Sequence, residues 1–73
     1  LTPQLKEIAE RIIMAVTMTT GLRVDSPRPA KLAKIVEMPY ENIRKLGLLK
    51  ECGEEQIKVV YDHLVAEAKR NGN

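Results

Sequence analysis

The chain contains no tryptophan and no phenylalanine, and its aromatic content of 3% comes from Tyr40 and Tyr61 alone. A core without large rings must be assembled from Leu, Ile, Val, Met and Ala, which suits packed helices better than a sheet. There is one cysteine, Cys52, which excludes an intrachain disulfide, and with the lone His63 it cannot supply a structural zinc site from those two ligand types. A reducing, intracellular setting, cytoplasmic or nuclear, is the corresponding expectation. Long apolar runs are also missing. The stretch Ile12-Ile13-Met14-Ala15-Val16 is far too short to cross a bilayer, and no basic-then-apolar leader precedes it, so a membrane is not expected as a partner. Gly21, Gly47, Gly53 and Gly72 are too scattered to cradle a phosphate. No nucleophile with a base, paired carboxylates or metal-ligand spacing assembles, so the chain is not expected to be an enzyme or to carry a cofactor or metal.

What is present defines one small helical domain. The 73 residues, 44% apolar and 30% charged, suffice for a single core near the size at which such a core is marginal. Because it begins with Leu1 rather than Met, the chain reads as a domain excised from a larger protein or as a processed chain. Thr2 can cap a first helix that has Pro3 in its opening position and Gly21 at its end. Its face of Leu5, Ile8, Ala9, Ile12, Ala15 and Val16 is widened by Ile13, Met14 and Met18 beyond one stripe. A further helix, a second copy of the chain or another partner is needed to cover the extra width. The connection Leu22-Arg23-Val24-Asp25-Ser26-Pro27-Arg28-Pro29 is the one candidate strand, with Leu22 and Val24 dipping inward and Asp25 or Ser26 capping the next helix. A last helix runs from about Glu54 to Lys69 or Arg70. Ile57, Val60, Tyr61, Leu64, Val65 and Ala68 form its apolar stripe, with acids at its start and bases at its end.

Between these helices lies the segment from Ala30 to Leu49. Leu32, Ala33, Ile35 and Val36 are the apolar positions of one short helix, with Lys31, Lys34 and Glu37 facing away. Proline disfavours helix for the residue before it and lacks an N–H that a helix start does not need, so Met38 should leave the helix and Pro39 open the next. Ile43, Leu46 and either Leu49 or Lys50 then recur at a three-residue step. On these residues the chain resembles the helix-turn-helix superfamily of DNA-binding domains. Ala33 stands where that family has a small residue at the helix crossing, with aliphatic residues at Leu32, Val36, Met38, Ile43 and Leu46. It departs from the pattern at Glu37, where many members carry a turn glycine, and at Gly47 inside the second helix, where Gly costs about 1 kcal/mol relative to Ala. Acidic Glu51, Glu54 and Glu55 lead straight into the last helix and leave no room for a wing. The expected fold is all-α, a small orthogonal bundle of four helices containing a helix-turn-helix-like unit, with little or no β-structure.

The resemblance implies double-stranded DNA as the partner and a recognition helix from Pro39 to about Glu51 in the major groove. Tyr40 would contact phosphate or a thymine methyl, Asn42 an adenine edge, Arg44 a guanine edge and Lys45 a phosphate, with Arg28, Lys31 and Lys34 as a phosphate-facing stripe on the preceding helix. Charge is distributed in keeping with this. Arg23, Arg28, Lys31, Lys34, Arg44, Lys45 and Lys50 outnumber Asp25, Glu37 and Glu41 by four over residues 23–50, within a chain whose net charge is +2. The alternative is a helical adaptor or regulatory module whose aliphatic groove takes a partner helix, with Met14, Met18 and Met38 as adaptable lining. Convergence of Arg28, Lys31, Lys34, Arg44 and Lys45 on one open surface would favour nucleic acid. A dominant uncovered aliphatic groove would favour a protein.

Overall fold

A computed structural model describes residues 1–71, and among these the architecture is an all-α bundle with no strand. Helix α1 spans Pro3–Thr20, α2 Arg28–Glu37, α3 Tyr40–Arg44 and α4 Glu54–Asn71, with a single 3₁₀ turn over Gly47–Leu49 between the last two. The start of α1 is as expected: the Thr2 hydroxyl accepts the Leu5 N–H at 3.2 Å and Pro3 occupies the first turn. Its end is closed by Gly21 at φ 74°, the one left-handed residue among those described. There the Leu22 N–H reaches the Thr17 carbonyl at 3.1 Å and the Gly21 N–H reaches Met18, which satisfies carbonyls a helix end otherwise leaves open. Buried Thr17 turns its hydroxyl back onto the Ile13 carbonyl at 2.6 Å, so the polar atom inside the core has a partner.

The connection to α2 departs from expectation. It forms turns rather than a strand, Val24 is 67% exposed, and neither Asp25 nor Ser26 caps α2. Asp25 instead takes both guanidinium nitrogens of Arg23 at 3.1 Å. The helix needs no side-chain cap because Pro29 has no N–H to satisfy, while the Ala30 and Lys31 N–H groups both reach the Pro27 carbonyl.

Helix α2 also sits in a different register from the one its spacing suggested. Leu32 and Ile35 are fully buried, whereas Ala33 and Val36 lie exposed, so Ala33 marks no helix crossing. Met38 leaves the helix at ψ 130° and Pro39 follows as the cap of α3, so the turn forms without any left-handed residue and Glu37 stays helical. The helix expected to reach Glu51 ends at Arg44. Leu46 takes an extended ψ of 140°, and the chain re-forms as the 3₁₀ turn. Ile43 and Leu49 are buried and Leu46 partly so. Three apolar residues at a strict three-residue step drift around an α-helix, whereas three residues per turn is the 3₁₀ period, and Gly47 lowers the cost of leaving the α-helix between them.

The most deeply buried side chains of the core are all aliphatic. Ile12 and Val16 of α1, Leu32 and Ile35 of α2, Ile43 of α3, Leu49, and Val60 and Leu64 of α4 are all but inaccessible to solvent. Helices α1, α2 and α4 pack against one another, the 3₁₀ turn lies on α1, and α3 rests on α4. The Arg11 guanidinium fastens the turn through the Leu48 carbonyl at 3.3 Å. Ile13 is covered by this packing, but Met14 and Met18 remain 49% and 66% exposed. The observed register predicts that Leu32→Ala destabilises the domain by about 2–5 kcal/mol in urea unfolding. Ala33→Leu, by contrast, should fall within about 0.5 kcal/mol of the parent, because it adds bulk to an open face.

Candidate interaction surface

Of the residues expected to meet DNA, the two arginines are held by carboxylates at separate places. Arg28, the first residue of α2, is clamped to Glu67 near the end of α4, with Nε to Oε2 at 2.7 Å and Nη2 to Oε1 at 3.1 Å. Arg44 grips Glu41 in the same two-pronged way at 3.1 and 2.8 Å, and its Nε lies 3.7 Å from Glu54 at the start of α4. The two guanidinium groups therefore stand near opposite ends of α4, thirteen residues and about 20 Å apart along its axis. Lys34 lies 3.8 Å from Glu37. Lys31 and Lys45 have no ion pair among the described residues, and Asn42 is exposed on α3.

These carboxylates compete directly with phosphate. The hydrogen bonds that Arg44 donates to Glu41 raise the pKa of Arg44 and hold the Glu41 carboxyl below the ordinary carboxylate range. Glu67 is likewise pulled below its ordinary value, first by its hydrogen bond to Arg28. Any phosphate taken by either guanidinium would have to displace a bidentate, charge-assisted pair. Lys45 and Lys50 remain beside Arg44 at the edge of a hollow of about 350 Å³ floored by Leu46, Leu49 and Ile57, with Glu54 on its rim.

Tyr40 packs between α3 and α4. It is half-buried, its ring centroid is 5.1 Å from that of Tyr61 at an interplanar angle of 54°, and its hydroxyl donates to the Glu54 carbonyl at 3.4 Å. The Lys58 ammonium lies 5.0 Å from the centre of the Tyr40 ring and 5.3 Å from that of Tyr61, while also donating to Asp62 at 2.9 Å. The hydrogen bond to Asp62 is the main cause of a raised Lys58 pKa. Tyr40 is thus the wall of a groove against α4.

That groove is mainly apolar. One hollow of about 540 Å³ lies between Tyr40 and Glu54, Glu55, Lys58 and Val59. A second, of about 280 Å³, is bounded by Thr2, Gln4, Leu5, Glu55, Gln56 and Val59. Val59 and Glu55 wall both, so the two hollows form a saddle over the first turns of α4, from α3 on one side to the start of α1 on the other. Val59 is 53% exposed. The sequence carries a signal for it: Val59 falls opposite the stripe of Ile57, Val60 and Leu64, an aliphatic residue where polar ones surround it. Elsewhere, His63 is exposed and Cys52 half-buried, and no group of three His, Cys, Asp or Glu side chains among the described residues is placed to hold a metal ion. Among the described residues no helix is long and apolar enough to cross a membrane.

No protein-family model matches the chain, and no curated protein or solved structure shows significant similarity to it. The clamp between Arg28 and Glu67 carries a prediction of its own. A carboxyl whose folded-state pKa is depressed contributes stability in full above its unfolded value of about 4.3 and loses it as pH falls through the lower folded value. Glu67→Gln should therefore flatten the acid limb of a stability-against-pH curve. At neutral pH it should cost no more than about 1 kcal/mol, because solvent screens the half-exposed guanidinium.

Proposed function

We propose that this domain is a helical protein-interaction module that receives an amphipathic segment of a partner across the saddle at Val59. The observation that carries the reading is Val59 itself. A β-branched residue on the outer face of a helix contributes little to helix propensity, and here it buries little within its own chain. Removing such a side chain from water contributes about 1.5 kcal/mol or more, and a concave apolar floor on both sides lets one partner element cover it together with Leu5 and Tyr40. The same region bears on the DNA reading. Arg28 and Arg44 are engaged by carboxylates at separated places, and α3 has five residues where a groove-reading helix needs several turns.

The proposal is tested by selecting from a displayed random-peptide library on the wild-type domain and on Val59→Glu, whose fold is checked by circular dichroism. Enriched peptides that bind the wild type and lose the variant are the expected result. Peptides that bind both alike would sink the reading. A parallel titration with random-sequence duplex at about 50 and 200 mM salt separates the alternative. Tight binding that weakens steeply with salt and vanishes in an Arg44→Ala, Lys45→Ala double variant would replace the protein partner by DNA.

A further inference from the structure

We infer that the segment this saddle accepts is a basic amphipathic helix, an inference that rests on the interaction reading above. The charges around the apolar floor point one way. Glu55 walls both hollows, has no ion pair among the described residues and stands beside Val59. Glu54 adds a second carboxylate at the Tyr40 end; the one cation within 4 Å of it among the described residues, Arg44, lies 3.7 Å away and is already held by Glu41 at 2.8 Å, while Lys45 and Lys50 border the separate hollow over Leu46. The single cation on the rim is Lys58. Its ammonium is bound to Asp62 at 2.9 Å and lies over the two tyrosine rings, so its charge is largely met within the domain. The partial positive charge at the start of α4, about half a unit, does not offset two carboxylates. A lysine or arginine approaching Val59 therefore finds unmet negative charge, whereas an aspartate, glutamate or phosphoryl group meets like charge.

The form of the partner follows from the shape. Two hollows separated by one valine accept two apolar anchors from one side of a helix, three or four residues apart, with basic side chains flanking them over Glu54 and Glu55. Nucleic acid is excluded from this surface by the same carboxylates.

The test uses a helical leucine/lysine peptide and a leucine/glutamate peptide with identical leucine positions, titrated into the domain while the methyl resonances of Val59 and Leu5 are followed. The lysine peptide is expected to move these methyls and to bind about tenfold more tightly than its counterpart, with the difference shrinking between about 50 and 200 mM salt. Glu55→Gln should reduce the difference. A Glu54→Lys, Glu55→Lys double variant should reverse the preference, with its fold checked independently because lysines at a helix start are unfavourable. If both peptides move Val59 equally, or the glutamate peptide prevails, the basic partner is wrong while the groove stands. If neither peptide moves Val59, the groove reading falls and the inference with it.

Discussion

The structure depends on the breadth of the apolar surface of α1. A helix burying a single stripe can be covered by one neighbour, but Ile8, Ala9, Ile12, Ile13, Ala15 and Val16 extend around α1 far enough that α2, α4 and the 3₁₀ turn all rest on it. Each later element then has a side on which it must be apolar. Leu32 and Ile35 suffice for ten-residue α2, whereas α4 needs the longer run of Ile57, Val60 and Leu64. In a chain this short, without disulfide or large rings, many small aliphatic contacts must share the work that one or two aromatic side chains do elsewhere. The two half-buried tyrosines pair at the periphery.

This arrangement sets the fate of α3. The chain between α2 and α4 must place Ile43 and Leu49 in the core within seven residues. A continuous helix would carry one of these side chains around to solvent. Breaking at Leu46 and resuming as a 3₁₀ turn keeps both inside, with the Arg11 contact to the Leu48 carbonyl fastening the turn to α1. The short α3 that remains is held against α4 by Tyr40 on Tyr61 and by Arg44 near Glu54. It is therefore positioned as a wall.

The long helices were legible because their signals are local. Thr2, Pro3 and Gly21 bound α1, and Gly53 with the acidic pair Glu54 and Glu55 opens α4, each acting within a turn of its own position. The turn at Met38 and Pro39 was legible for the same reason. The register of α2 was not, because Leu32, Ala33, Ile35 and Val36 offer two overlapping stripes and only the neighbours that α2 meets decide between them. Arg28 looked available because Glu67, which binds it, lies 39 residues away. The pairing of Arg44 with Glu41 was within reach of sequence reasoning, since three residues is one helical turn. A count of charges over a segment hides it by adding partners as though they were independent.

A local excess of basic residues signals phosphate binding only when the charges are unspent in the fold, and the fate of each guanidinium decides that more than its number. In this domain the arginines are used to join elements, Arg28 tying α2 to α4 and Arg44 linking α3 to the start of α4. Both contacts draw on acids of α4, yet Glu55 is left over, beside Val59, the one large aliphatic residue that α4 exposes among the described residues. Unspent negative charge next to unspent apolar surface is a combination that internal packing leaves unsatisfied, and one that the proposed partner would meet. A partner carrying the opposite pair of properties satisfies both at once, because the apolar anchor supplies affinity and the basic flank supplies orientation and rate of encounter.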